Sequence, residues 1–578
     1  LNLNLNYNSI LFSLVEKVIN LKILFEKKKY SELIFIIENK IPNNQKNSGI
    51  LNVLGACRLL KEKANKKNLS LALNDFREAY LKEDKTNHSK EAFVNFINIS
   101  IKLFEYENSS ENHNKSLKNF KEATQFFKKN KDYFSKDKSI ILAITRVYKR
   151  LVNLKEVNVC LELLLKYNNF TPFIINNYIY NNCFFKNWRQ ADFLKYGKLL
   201  EEHLPEYSKE KIIPLNKNKN KKIKLAFLSS DLFKSHPVTY FLKTILSNYN
   251  SQEFEIFLYH NIKKKDADNT TEILNKLVFK NCEIFDLSDI EVINLIRSDK
   301  IDIIIDLMGV TSKNRLSLIK NRVAPIQILW CGYCNTTGIK NMDYIIADHN
   351  VIFNEELNDY SEKIIYLPKI WNAHPGLNIE RNFTDAPFLN NKFITFGSFN
   401  SFRKINETVV NTWSKILKKI PNSKLLLKSS SVLSNNLILE KFKKNDVLKS
   451  VVFNPFISDF NSHMDLYSKI DIALDTFPYN GVTTSFEATW MGVPLLTIKG
   501  YNFNSRCGES INKNLDMYDL ISENEKDYID KAFKIATDNE KLVKIRKEIF
   551  SKALTSPLFD SLNFSNEFFK SLKKLKSS

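Results

Sequence analysis

Glycine is unevenly placed in this 578-residue chain. Of twelve glycines, only Gly49, Gly55 and Gly197 precede residue 300; the other nine lie between Gly309 and Gly508. Glycine collects where the backbone must turn tightly or approach a ligand closely. The split therefore predicts two grammars: a helical scaffold in the first two hundred residues and a chemistry-bearing part after it. At about 150 residues per domain the length allows three to four domains. It also suffices to bury a large core without disulfides or structural metals.

The N-terminal part carries helical periodicity with few breakers. In ALNDFREAYLKED, Ala72, Phe76 and Ala79 fall on one helical face, and the spacing returns 44 residues later as Ser116, Phe120 and Ala123 in SLKNFKEATQF. Upstream, Leu54-Gly55-Ala56 offers a small residue where two helices can pack closely. Small and aromatic positions at this spacing resemble degenerate tetratricopeptide repeats, with a period longer than the usual ~34 residues. An ordinary helical domain is the alternative. Either scaffold presents a protein-binding surface rather than a catalytic one.

The domains expected are a helical TPR-like domain over 1–205, a linker over 206–222, a first α/β lobe over 223–385 and a second over 386–578. The linker is read from its composition, EYSKEKIIPLNKNKNKK. Beyond it, IKLAFLSSD, FEIFLYHN and KIDIIIDLMG read as buried parallel strands, each followed by a polar turn and a helix. A second set runs through FITFGSFN, SKLLLKSS, SVVFNPF, DIALDTF and PLLTI. Two βα arrays separated by a non-periodic stretch near 370–392 predict two Rossmann-like lobes, with ligands beyond the C-terminal ends of the strands.

The residues just after those strands are the candidates. DIALDTFPY leads into Asn480-Gly481-Val482-Thr483-Thr484 and a helical SFEATWMG. A strand, a glycine turn and two hydroxyls at a helix start make a phosphate cradle, because backbone N–H groups and the helix dipole favour an anion there. Glu487, expected on the first turn, could accept hydrogen bonds from a ribose. The alternative is a plain capped helix. There is no GxGxxG and no Walker sequence. After FITFGSF come Asn400 and Ser401, candidates for contact with the same ligand, and then Lys404, which can neutralise a diphosphate leaving group as a point charge. In the first lobe, His236-Pro237 follows strand one, where an acceptor hydroxyl could approach a general base.

These residues sit in an ordered series of blocks: HPVTYFL, APIQILWCGYCNTTG, MDYIIAD, EKIIYLP, FGSFNSFRKI, HMDLYSKIDIALDTFPYNGVTTSFEATWMGVPLLTIKG and SRCGESI. Over roughly 222–578 the series resembles the catalytic region of the SPINDLY / O-linked N-acetylglucosamine transferase family of protein glycosyltransferases, with NTTG, FGSFN and DTFPY closer to the SPINDLY-like branch. The resemblance implies a two-lobed GT-B fold that holds a nucleotide sugar mainly in the C-terminal lobe. It places the family's phosphate-contacting lysine at Lys404, its helix-start donors at Thr483 and Thr484, its ribose carboxylate at Glu487 and its His-Pro histidine at His236. It implies inverting transfer to Ser or Thr of a protein without a metal or other cofactor, from UDP-N-acetylglucosamine or, alternatively, GDP-fucose or another nucleotide sugar. A rival of another class is a non-catalytic repeat adaptor with a vestigial transferase fold. Three departures stand out. Val310 replaces a histidine in DLMGVT, Val482 stands where animal members carry another, and the usual LGYP is Cys331-Gly332-Tyr333-Cys334.

Composition narrows the remaining classes. Lys+Arg exceeds Asp+Glu by 86 to 64, a formal net charge of +22. The lysines are scattered, however, so no nucleic-acid partner is expected. The proteins expected on the helical part are acceptors. No run approaches the ~18 apolar residues of a membrane span. Seven dispersed cysteines fit free thiols in a reducing cytoplasm. Asp266-Ala-Asp268 spells the DxD of metal-dependent transferases but lies in the charged loop KKKDADN, and no other clustered ligand set suggests a metal.

Overall fold

The computed structural model describes residues 15–577 except 63–64, 83–86, 107–109, 208–220, 234–235, 377–380, 382, 430–431, 455–456 and 458. Most of the expected linker thus lies outside the described residues. The chain divides into two compact units, Leu1–Asn169 with Ser431–Leu437, and Phe170–Ser430 with Ile438–Ser578. No described helix is long and apolar enough to cross a membrane.

In the first unit the described elements are helices, among them Ser48–Lys61, Lys66–Leu81, Asn87–Tyr106, Ser110–Lys129, Lys138–Arg150 and Leu154–Lys166. The asparagine-rich composition is put to use at their starts. Asn47, Asn65 and Asn153 each accept a hydrogen bond from a first-turn amide, satisfying donors the helix leaves open. Ala72, Phe76 and Ala79 are fully buried, as are Phe120 and nearly so Ser116 and Ala123, so both spacings mark inward faces. Gly55 packs on the Phe76 ring; a Cβ there would fall 2.8 Å from it. Arg77 joins two helices through Glu122 at 2.9 Å and Asn119 at 2.7 Å.

The second unit holds two all-parallel sheets. The first contains β1 (Ile223–Ser229), β2 (Phe254–His260), β3 (Lys280–Glu283), β4 (Ile303–Asp306), β5 (Ile326–Leu329), β6 (Tyr344–Ala347) and β7 (Lys363–Tyr366), in the order 3-2-1-4-5-6-7. The second contains β8 (Thr395–Ser398), β9 (Lys424–Lys428), β10 (Val451–Asn454), β11 (Ile472–Leu474), β12 (Leu495–Ile498) and β13 (Ile521–Ser522), in the order 10-9-8-11-12-13. Each order reverses once, between β1 and β4 and between β8 and β11. Those switch points are where open α/β sheets leave a crevice for ligands. The central strands are continuous apolar runs because helices cover both faces; Leu225–Leu228 and Ile303–Ile305 are fully buried.

Two helices upstream of β1, Pro172–Asn182 and Gln190–His203, belong to this unit. Gly197 lies against the backbone of Thr337 and Gly338, where a Cβ would come 2.7 Å from the Gly338 Cα. Gln190 donates to Asn335 at 2.7 Å. The last helix, Ser561–Ser577, returns to the first sheet's side: the Phe569 ring centroid is 4.7 Å from that of Phe254, and that of Phe568 is 4.9 Å from Trp330.

Candidate active site

The cradle in the second lobe is built by Asp475, the residue that follows β11. Its Oδ1 accepts from the amides of Gly481 at 2.7 Å and Thr476 at 2.8 Å, and its Oδ2 from the Thr497 hydroxyl at 2.9 Å. These bonds fold 475–481 into a closed turn. Burial pushes the Asp475 carboxyl up to about 6, against those donors and nearby Lys404. Lys404, from the 3₁₀ turn after β8, donates to the Asn480 carbonyl at 2.6 Å and lies 4.3 Å above the Tyr479 ring. Burial lowers its pKa from the ordinary lysine value, with Asp475 opposing. The ammonium is thus poorly hydrated and held by a carbonyl and a ring face, an arrangement that an incoming phosphate improves.

The helix expected after the turn is Thr483–Trp490. Gly481 is required there by close approach: a Cβ would sit 2.7 Å from the hydroxyls of Ser485 and Thr484. Its own amide is taken by Asp475, so it does not face an anion. Among the described residues, the amides of Thr483 and Thr484 find no acceptor, and the buried Thr483 hydroxyl oxygen has no partner. The Thr484 hydroxyl donates to Asn400 at 3.1 Å, which joins the ends of β8 and β11 across the switch point. Ser401 is exposed; its carbonyl accepts from the Lys404 amide at 2.9 Å.

Glu487 is the fifth residue of that helix, a turn deeper than the sequence suggested. It is 5% exposed. Its Oε2 accepts from Tyr467 at 2.8 Å and lies 3.2 Å from His463 Nε2, while Oε1 has no hydrogen bond among the described residues. Tyr240 faces it from the first lobe, its phenol pushed up to about 12 by burial and by the Glu487 carboxylate.

His236 precedes the helix Val238–Leu246, which follows β1. Its Nε2 lies 3.7 Å from Asp231 Oδ1, and its Nδ1 is buried without a hydrogen bond. Burial lowers the pKa of His236, outweighing the Asp231 carboxylate, so the ring is neutral near pH 7. Asp231, which accepts from the Ser230 hydroxyl at 3.2 Å, is close enough to stabilise the ring's protonated form.

The two valines flank these groups. Val310 is buried at 2% beyond β4, where Gly309 donates to Asp306 at 2.7 Å; Val482 is half-buried at the cradle. The Cys331–Cys334 segment opens no helix, and all seven cysteines are free. Asp268 caps the helix Asn269–Lys276, accepting from Thr270 and Thr271, so the DxD spelling marks a helix start.

Sequence reasoning missed Asp231, Asp475, Tyr479, His463 and Tyr467. Asp231 and Asp475 follow central strands of their sheets, the position that singled out the other candidates, and could have been found by the same rule. His463 and Tyr467 lie on helical turns before β11, and only packing brings them to Glu487.

The model of glycosyl transferase family 41 matches residues 189–374 and 383–568. A tomato protein named as a probable UDP-N-acetylglucosamine–peptide N-acetylglucosaminyltransferase SPINDLY is 32% identical over 353 residues, which are 59% of this chain and 37% of that protein. The Arabidopsis thaliana protein SEC, named as a probable transferase of the same activity, is 27% identical over 64% of this chain and 39% of its own. The chain therefore spans less than two fifths of the length of these curated relatives. Among solved structures, a mutant of the Thermobaculum terrenum O-GlcNAc transferase superposes with a TM-score of 0.74 at 20% identity, covering 88% of this chain and 94% of that one.

Proposed function

The chain belongs to glycosyl transferase family 41, and on that premise we propose that it is a protein O-glycosyltransferase. It transfers N-acetylglucosamine from UDP-N-acetylglucosamine to a Ser or Thr hydroxyl with inversion and without a metal, in the cytoplasm. The observation that carries this reading is the pairing, at two switch points of one unit, of a phosphate cradle with a histidine 3.7 Å from an aspartate.

In this mechanism the acceptor oxygen forms a bond to the anomeric carbon from the face opposite the diphosphate. Its proton passes to His236, and Asp231 stabilises the resulting imidazolium. The bond from the anomeric carbon to the diphosphate oxygen breaks, and the electron pair leaves with the nucleoside diphosphate. Negative charge thus grows on the leaving oxygen in the transition state. The Lys404 ammonium and the amides of Thr483 and Thr484 stabilise it there, and Glu487 Oε1 accepts from the ribose. Asn400 fixes the Thr484 side chain, and Ser401 borders the donor. The helical first unit is proposed to carry tetratricopeptide-like repeats that bind the acceptor protein.

The test is calorimetric binding of UDP, GDP and CDP, with K404A as control, followed by mass spectrometry of a Ser/Thr-containing protein incubated with the preferred sugar nucleotide. Selective UDP binding that K404A weakens, with a mass addition of one N-acetylhexosamine less water, supports the reading. Selective GDP binding would replace the donor. No nucleotide binding would favour the adaptor.

A further inference from the structure

Beside Lys404 stands Arg403, which none of these roles uses. Its side chain is exposed, and among the described residues it makes no ion pair and no hydrogen bond. Three other arginines of the same unit are engaged by carboxylates, Arg315 by Asp289, Arg322 by Asp343 and Arg506 by Glu356, and others, such as Arg297 and Arg546, by backbone carbonyls. Arg403 is held by rings alone, its guanidinium carbon 5.2 Å from the Tyr180 centroid and 5.3 Å from that of Phe184. Both rings come from the end of the helix Pro172–Asn182 and the residues after it, upstream of the first strand.

Ring contacts fix where the guanidinium lies. The Phe184 ring is 5.2 Å from Tyr479, the ring beneath the Lys404 ammonium. On the other side, burial raises the Tyr180 pKa, Arg403 opposes the shift, and the Asp231 carboxylate, the partner of His236, is close enough to add to it. The rings that hold Arg403 thus lead on one side to the cradle, through Phe184 and Tyr479, and on the other, through Tyr180, to within electrostatic range of Asp231. Stacking occupies the faces of a guanidinium and leaves the in-plane N–H groups directed outward, where they match a carboxylate in bidentate fashion.

We propose that Arg403 is an acceptor-recognition residue whose guanidinium binds an Asp or Glu side chain close in sequence to the modified Ser or Thr, so that the enzyme selects acidic acceptor segments. This rests on the protein-transferase reading of the same cleft. The diphosphate has less need of Arg403, because the Lys404 ammonium and the free helix amides already offer it donors. The formal net charge of +22 would draw acidic segments toward the cleft.

The experiment uses the full chain and synthetic peptides with one Ser flanked by Asp/Glu, by Asn/Gln or by Lys, with kcat/KM read by mass spectrometry. Wild type is expected to prefer the acidic peptide over its amide isostere by roughly tenfold, as a charge-assisted bidentate contact allows. R403Q should bring that ratio close to one, R403K should give an intermediate ratio, and R403E should favour the Lys peptide. Melting curves of the three variants report whether they fold. An acidic preference that R403Q leaves intact, or wild-type transfer with no charge preference, would overturn the proposal. So would loss of UDP affinity in R403Q with the peptide ratio unmoved, which would assign the guanidinium to the diphosphate. A wild type that binds nucleotide yet glycosylates no peptide would instead remove the reading beneath it, and the proposal with it.

Discussion

At the residue scale, the cradle depends on a lysine that the fold desolvates. Asn480 and Tyr479 hold Lys404, and the nearby Asp475 keeps its own hydrogen bonds to Gly481, Thr476 and Thr497 when the lysine is replaced, so the substitution removes charge mainly from the transition state. Lys404→Ala is expected to lower kcat/KM by roughly 10²–10³-fold, the effect of losing one preorganised oxyanion donor, with the melting temperature near wild type. A second residue-scale prediction concerns His374, packed among Tyr240, Phe241, Phe486 and Phe559. Burial lowers its pKa from 6.5 to about 4. A value depressed in the folded state means that its contribution to stability is present above pH 6.5 and is lost as pH falls through about 4. His374→Phe should therefore shrink the drop in melting temperature across that window, as followed by calorimetric scans at several pH values.

At the element scale, the helix Thr483–Trp490 is aimed by the turn before it. Asp475 closes that turn, and Gly481 allows Thr484, Ser485 and Asn400 to converge. Gly481→Ala would place a methyl 2.7 Å from two hydroxyl oxygens at the ends of short side chains, which can rotate away. Stability should change little, while the hydroxyls and the amides beside them move out of register. Affinity for the nucleoside diphosphate is expected to fall about tenfold, or ~1.4 kcal/mol, by calorimetry. An unchanged affinity would show that the turn geometry is not tuned to the ligand.

For the whole molecule, the two helices upstream of β1 are part of the transferase body. They supply Tyr180 and Phe184 beneath Arg403, the Gln190 bond to Asn335 and the backbone approach of Gly197 to Gly338. A truncation that begins at Phe170 should fold and bind nucleotide, and should lose transfer to protein substrates if the first unit binds them. One that begins at Glu206 should be insoluble or lack a cooperative melt, because it uncovers Asn335, Gly338 and Tyr479 together. Circular dichroism melts and nucleotide titration of the two truncations separate these outcomes.

The apolar runs from IKLAFLS to PLLTI were legible as strands because residues buried on both faces of a parallel sheet need no alternation. Their C-terminal ends were legible as the place of the candidate site because that is where a parallel sheet opens. Local signals of this kind reached Asn400, Lys404, Gly481, Thr483, Thr484 and His236. They also reached the inward faces at Ala72–Ala79 and Ser116–Ala123, where 3.6-residue periodicity is a property of the segment itself. Short strands such as β3 and β13 carried no such signal, since two to four residues give no period to read. The partners that set the chemistry were decided by the tertiary structure alone: Asp231 beside His236, His463 and Tyr467 on Glu487, and Tyr180 and Phe184 under Arg403. Each pair is made by packing between elements, and the electrostatic environment of a side chain depends on what lies against it in space, whatever their separation along the chain.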